Sequence, residues 1–291
     1  MRIGVTTFVT DETARPEEVA ALVEEYELDS LWFPDHTHIP LSRQSSHPRE
    51  GKDLNRNYLR NLDLFVAMMA AAATTERILI GSAVCLVTER DPIITAKAVA
   101  SLDQLSSGRI RFGVGAGWNL EELENHGVSA GDRFKVLDER VESLKEIWTN
   151  EVATFKGQFV SFDPIWCWPK PVQSPYVPIL LGSNGPRAVD RAIRLGTDWM
   201  PGYHKDDDYL SRRIEEFLAR SERDAEVTLN APPLDRRRLA RLADAGAKRA
   251  VFMVSCTDIQ TLERQLEELK AASLLVADDS ALKRKIQSAL N

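Results

Sequence analysis

A chain of 291 residues with 43% hydrophobic and 28% charged side chains is long enough for one α/β barrel, which takes about 250 residues, or for two smaller domains. Its net charge of −7 excludes the basic balance of a nucleic-acid binder, and no run reaches the roughly 18 apolar residues of a membrane span. Cys85, Cys167 and Cys256 lack the spacing of a zinc knuckle or a disulfide framework, and Arg2-Ile-Gly-Val opens the chain without a signal-like apolar run, so a cytoplasmic protein with no nucleic-acid or membrane partner is expected.

Ile3 to Phe8 reads as a first strand, and Pro16 opens a helix whose Val19, Leu22, Val23 and Tyr26 fall at helical spacing. Ser-Leu-Trp-Phe-Pro (30–34) is a second strand that stops on Asp35-His36-Thr37-His38. Residues 39–62 form a polar, arginine-rich stretch too long for an idle connection, and a lid or substrate loop is expected there. Its arginines at 43, 49, 56 and 60 read as a solvated loop face. Asp63 to Thr75 is an alanine-rich helix, residues 78–86 are a third strand, and Asp91-Pro92 starts a helix that ends at Ser106-Ser107-Gly108.

Arg109 to Asn119 is the fourth strand and its exit. Its Gly113-x-Gly115-x-Gly117 spacing is not that of a dinucleotide loop. Asp132 is placed to cap the next helix, whose Leu137, Val141, Leu144 and Trp148 share a face. Residues 151–176 break the rhythm and read as an insertion across the barrel top, with a small hairpin at 156–162. Strands five to eight follow at 177–181, 197–201, 227–230 and 250–254, with helices between them. A last helix starts at Thr257-Asp258, and a charged tail runs from 273 to 291.

Eight short apolar strands alternating with helices predict one (β/α)8 barrel spanning 1–291, with insertions at its C-terminal face. Function on a barrel belongs to the C-terminal ends of the strands, which turns the strand order into a site list. After strand two, His36 is a candidate general acid/base or electrostatic group, oriented by a carboxylate such as Asp35. His36 and His38 also have the spacing of two metal ligands, but the other strand ends complete no ligand set, with His204 and Asp258 the nearest additions. Gly81-Ser82-Ala83-Val84 is small enough either to pack tightly or to let a flat ring lie against the backbone. Trp118 is either a core cap or a pocket wall. Ser183-Asn184-Gly185, just before Pro186, is either an ordinary helix cap or an anion site.

These segments together resemble the luciferase-like flavin-dependent oxidoreductases, particularly the subgroup that uses the deazaflavin coenzyme F420. The matching residues are 32–36 (Trp-Phe-Pro-Asp-His), 77–84 (Arg-Ile-Leu-Ile-Gly-Ser-Ala-Val), 92–108, 109–122 and 178–186. The resemblance covers roughly the first 200 residues and is most specific between 77 and 122.

The resemblance implies a ring cofactor at the barrel mouth, braced at strand three by a non-proline cis peptide near Ala83-Val84. It implies that Ser82, Ala83 and Val84 lie along the ring, that Gly115, Ala116, Gly117 and Trp118 approach it, and that Ser183, Asn184 and Gly185 hold its phosphate. His36 corresponds to a histidine beside the reactive ring and Asp35 to its acidic neighbour. Similar proteins that oxidise sugar phosphates carry a carboxylate directly after the third glycine. Trp118 stands there in this chain, so another, apolar or ring-bearing small molecule is expected. The implied activity is hydride transfer with F420, or oxygen activation on reduced FMN as a monooxygenase, in a homodimer. The alternatives are a metal-assisted hydrolase built on His36 and His38, and a relative that binds flavin without turnover.

Overall fold

The computed structural model describes residues 1–48 and 51–272. Arg49 and the 273–291 tail lie outside the described residues.

β1 (Arg2–Thr6), α1 (Pro16–Glu25) and β2 (Ser30–Phe33) form the first β/α unit and the strand that follows it. All four β2 residues are buried, as in a parallel strand covered on both faces. α2 (Leu64–Ala73) is capped by Asp63, whose carboxylate accepts from the amides of Phe65 and Val66. β3 (Leu79–Ser82) and β4 (Cys85–Leu86) are two pieces of the third barrel strand, expected as one, separated at a cis Ala83–Val84 peptide. α3 (Pro92–Leu105), capped by Asp91, leads to β5 (Ile110–Gly115).

Two helices follow β5, α4 (Leu120–Asn125) and α5 (Arg133–Thr149). The hairpin is β6 (Ala153–Lys156) with β7 (Ser161–Ile165). Then come β8 (Ile179–Leu181), α6 (Ala188–Arg194), β9 (Asp198–Trp199), α7 (Asp207–Arg220), β10 (Thr228–Asn230), α8 (Arg236–Asp244), β11 (Arg249–Met253) and a helix over 259–272.

The barrel strands pair in parallel in the order β10-β11-β1-β2-β3-β5-β8-β9, with β4 continuing β3 against β5. Bridges Trp199–Val227 and Gly202–Asn230 connect β9 to β10. Eight parallel positions around a nearly closed barrel are therefore filled, as the strand count predicts.

Side-chain alternation divides the core in two. Leu31 and Phe33 join the large layer between strands and helices. Trp32 points the other way, into a small cluster with Leu180, Met200 and Val251, against which Ala83 and Val84 pack. A Cβ on Gly81 would sit 2.2 Å from the Trp32 ring. The glycine in β3 therefore makes room for an indole inside the barrel rather than for a ligand.

The two long insertions take different places. The 151–176 segment packs along the outer flank instead of crossing the mouth. Glu139 of α5 accepts from the amides of Gln158, Phe159 and Val160. Gln173 binds Asp103 and the Ile110 carbonyl, at the N-terminal end of β5. The 39–62 loop is the insertion that covers the C-terminal face. Arg56 and Arg60 tie it to Glu12 and Asp11 after β1, and Glu121 at the start of α4 accepts from the amides of Gln44 and Ser45. Burial opposes the charge of Glu121, but the Ser45 hydroxyl and these amides outweigh it and hold the carboxyl down at about 2.

Candidate active site

The C-terminal ends of β2, β4 and β5 converge on His36. The residue is 8% exposed, and its Nδ1 lies 2.7 Å from Oε2 of Glu122 in the first turn of α4. The Trp118 indole N–H points at Nε2 from 3.3 Å. An indole nitrogen only donates, so Nε2 is the acceptor and the proton of a neutral imidazole sits on Nδ1, facing the carboxylate.

Glu122 is the hub of this corner. Its side chain is wholly buried, and it also accepts from the Thr37 amide at 2.8 Å, the His38 amide at 3.4 Å and the Asn119 side-chain amide at 3.3 Å. Burial works against its charge, and the hydrogen bond and charge of His36 together with these amides overcome it, leaving the carboxyl below the usual range. A carboxylate so held both fixes the imidazole tautomer and stabilises an imidazolium.

Asp35, expected to orient His36, does something else. Its carboxylate takes a two-point bond from Arg90, at 2.7 and 3.0 Å, and accepts from the Leu86 amide at 3.0 Å. Burial alone would weaken the Arg90 charge, and Asp35 more than restores it. The pair fastens the β2 exit to the β4 exit. Neighbours in sequence point apart here, so the carboxylate that meets His36 comes from 86 positions away.

His38 is likewise turned from His36. Its Nδ1 meets the Thr37 hydroxyl at 2.9 Å and its Nε2 the Asn125 amide at 2.8 Å, with the His126 ring 5.5 Å away. His204 contacts the Asp206 backbone, and Asp258 caps the 259–272 helix through the Thr261 amide. Among the described residues no group of three or more His, Cys, Asp or Glu side chains is arranged to hold a metal.

Trp118 is half-buried and forms a wall. Its ring meets His36 and His47 edge-on at 5.6 and 5.0 Å and Tyr58 at 6.4 Å, and Arg43 lies over it at 5.6 Å. His47, Tyr58 and Arg43 all come from the 39–62 loop, so that loop builds an aromatic roof above His36.

The residues expected along the ring divide. Ser82 is fully buried, with its hydroxyl bonded to the Gly113 carbonyl at 2.7 Å. Gly115 and Ala116 are buried at the strand exit, and a Cβ on Gly115 would stand 2.6 Å from Val84 Cγ2. Gly182 is needed for the same reason, 2.6 Å from Val84 Cγ1. These glycines accommodate Val84 and leave no gap for a ligand. Ala83, Val84, Gly117 and Trp118 are the members that reach the mouth half-exposed.

Ser183, Asn184 and Gly185 lie on the other side of the mouth. The Ser183 carbonyl accepts from the Trp199 indole at 2.9 Å, and Asn184 accepts from the Gly202 amide at 2.7 Å. A Cβ on Gly185 would meet nothing within 4 Å. Helix α6 begins at Ala188, later than Pro186 implied, and no side chain caps it. Asn184, Gly185, Tyr209 and Arg213 line one small crevice there.

Sequence reasoning passed over two acids. Glu122 had a signal, an acidic residue in the first turn of the helix that leaves the fourth strand. Glu89 follows β4 directly, at a strand exit where barrel chemistry sits, and its side chain is wholly buried beside Glu122.

The chain is similar in sequence and in fold to several known proteins. An uncharacterized protein of Mycobacterium tuberculosis strain H37Rv is 39% identical over 259 residues, covering 87% of this chain and 91% of that protein. An F420-dependent glucose-6-phosphate dehydrogenase of Amycolatopsis mediterranei is 31% identical over 183 residues, 62% of this chain and 50% of that enzyme. Among solved structures, the monooxygenase RslO1 from Streptomyces bottropensis superposes with a TM-score of 0.76 at 16% identity, covering 94% of this chain and 99% of that one. The oxygenating constituent of 3,6-diketocamphane monooxygenase from Pseudomonas putida, in complex with FMN, gives 0.62 at 15% identity, over 79% and 67%. The model of the luciferase-like monooxygenase family matches residues 2–284, and with the barrel and its mouth this identifies the chain as a member of that family.

Proposed function

We propose that this protein is an oxidoreductase that moves a hydride between a small organic substrate and coenzyme F420 held in the barrel mouth. The observation that carries this reading is His36, a buried imidazole fixed by Glu122 on Nδ1 and offering Nε2 to the mouth beside Trp118. The fit to a flat ring rests on the apolar bed of Ala83 and Val84 over Trp32, Leu180, Met200 and Val251. The open Gly185 and the neighbouring Arg213 suit the anionic tail, with Ser183 and Asn184 beside them. When bound, the deazaflavin supplies the hydride-carrying carbon.

His36 Nε2 takes or returns the proton that balances the hydride, and Glu122 steadies the imidazolium. The Trp118 N–H occupies the position from which a substrate donor reaches Nε2, so substrate has to displace that bond. Gly117 and Trp118 then border the substrate, under the roof of His47 and Tyr58. Asp35 supports the site through Arg90 without touching the reacting atoms.

A flavin monooxygenase using FMN is the second reading, favoured by the FMN-bound structural neighbour. Fluorescence and absorbance titration with both cofactors separates the two. Saturable F420 binding with weak FMN binding is expected. Tight FMN binding with oxygen-dependent turnover overturns the F420 assignment, and binding of neither overturns both readings. The partner in this proposal is a second copy, seated on the apolar groove of α2 and α3, where Val66 and Leu105 are exposed; a monomer by sedimentation would refute it. The buried, unpaired cysteines suit a cytoplasmic setting.

A further inference from the structure

Glu89 lies in the turn after β4, and no solvent reaches its side chain. Neither of its carboxyl oxygens has a hydrogen-bond donor from the protein. An isolated carboxylate buried in this way is strongly disfavoured, and such a group holds its proton instead. The acceptor for that proton is close by: His126 Nε2, 3.9 Å from Glu89 Oε2, lies 2.8 Å from the Thr37 hydroxyl, which is itself 3.3 Å from Oε1 of Glu122, the carboxylate that grips His36. Two carboxyls buried together in one corner do not both ionise at neutral pH.

We propose that Glu89 and Glu122 hold one negative charge between them, with Glu89 the neutral partner that donates toward Glu122, and that Glu89 thereby sets how strongly Glu122 draws a proton onto His36. Glu89 is a positioning residue in this arrangement, since it acts on His36 only through Glu122. The inference rests on His36 being the acid–base group of the proposed function.

The charged and titratable groups around Glu89 agree with the assignment. Glu122 faces it from α4, Asp35 from the β2 exit and Cys85 from β4. Arg90, next in sequence, is the cation that opposes them, and its guanidinium is committed to Asp35. His126 Nε2 is 3.9 Å from Oε2, and burial with the nearby His38 keeps that ring toward its neutral form. Burial first, then the charges of Glu122 and Asp35, push the Glu89 carboxyl up to about 9.

Because Glu89 is neutral below that value, Glu122 carries a full charge whose affinity for the imidazolium is moderated by a donated hydrogen bond. Above it, a second negative charge appears behind Glu122 and strengthens the pull on the His36 proton.

The test uses the full chain without cofactor, so failure of cofactor binding leaves it decidable. Infrared spectra at neutral pH, wild type minus Glu89→Gln, are expected to contain the C=O band of one protonated carboxyl, lost in the variant. Absence of the band, or its survival in Glu89→Gln, overturns the proposal. NMR titration of the labelled His36 ring supplies the second readout. The wild type is expected to show a step in the Nδ1 shift near pH 9 that Glu89→Gln, still a donor toward Glu122, lacks. Glu89→Leu removes the donor, and the His36 ring signals are expected to move at higher pH than in the wild type. A wild-type ring without that step, or an unmoved midpoint in a folded Glu89→Leu protein, overturns it.

Discussion

The two sides of the barrel mouth are built on opposite plans. At the β2/β4/β5 corner, every donor and acceptor of the central imidazole already has a partner from the protein. Glu122 alone gathers His36, Thr37, His38 and Asn119. At the β8 exit, Gly185 faces open space and helix α6 starts without a side-chain cap. A group that must hold one geometry during proton transfer is fixed by buried bonds. A group that meets a ligand's charge is left with capacity to spare. Under the proposed function, the difference separates a corner that sets rate from a loop that sets affinity.

The sharpest way to break that distinction is His36→Ala. Turnover is expected to fall by ~10²–10⁴-fold, the usual loss for a positioned acid–base group, with the cofactor Kd moving little. Equal losses in both, measured by steady-state kinetics and fluorescence titration, would make His36 a cofactor-holding residue. Asp35→Ala attacks the support of the same corner. Leaving Arg90 buried without its partner is expected to cost about 3–5 kcal/mol in urea unfolding. A cost near zero would mean that Asp63, 3.5 Å from the guanidinium, suffices.

Glu89→Gln probes the corner through pH. The folded chain holds this proton more tightly than the unfolded chain, so its contribution to stability is complete below the ordinary carboxyl range and drains away as pH rises to about 9. The limiting slope is about 1.4 kcal/mol per pH unit. The variant lacks this loss, so its gain in Tm over the wild type should widen steadily from mildly acidic to mildly alkaline buffer. A constant offset in thermal melts would place the proton elsewhere.

On the opposite side, Gly185→Asp adds a negative charge where a Cβ meets nothing. Cofactor affinity should drop ~5–10-fold, on the order of 1 kcal/mol of surface repulsion, while kcat stays level. An unchanged Kd would remove 183–185 from the anion site. Trp118→Phe has the smallest expected effect, about 2–5-fold in turnover for one modest hydrogen bond. The pH profile should shift upward, because His36 Nε2 loses a donor that competes with its protonation.

Much of this corner was readable from its positions and little of it from its pairings. His36 and Trp118 were singled out because they follow strand ends, and the strand ends followed from apolar spacing. The carboxylate partner was misassigned to Asp35 because a sequence lists neighbours. Successive residues at a strand exit point in different directions, so Asp35 reaches Arg90 while His36 reaches Glu122. Gly115 likewise looked like space for a ring, and Val84 takes that space, with Gly182 making room for the same side chain. Their purpose depends on how β4 lies against β5 and β8, which no local pattern encodes.

The sequence by itself determined the eight β/α units and their order and marked 39–62 as an insertion, because periodicity, caps and breakers act within a few residues of one another; the motifs at 32–36, 77–122 and 178–186 carried the resemblance to the family. Only the tertiary structure decided that two buried acids stand behind His36, that 151–176 runs down the flank and that Asp35 is a brace. Those outcomes depend on barrel closure, which brings β2, β4 and β5 side by side and sets the angle at which each strand delivers its last side chains.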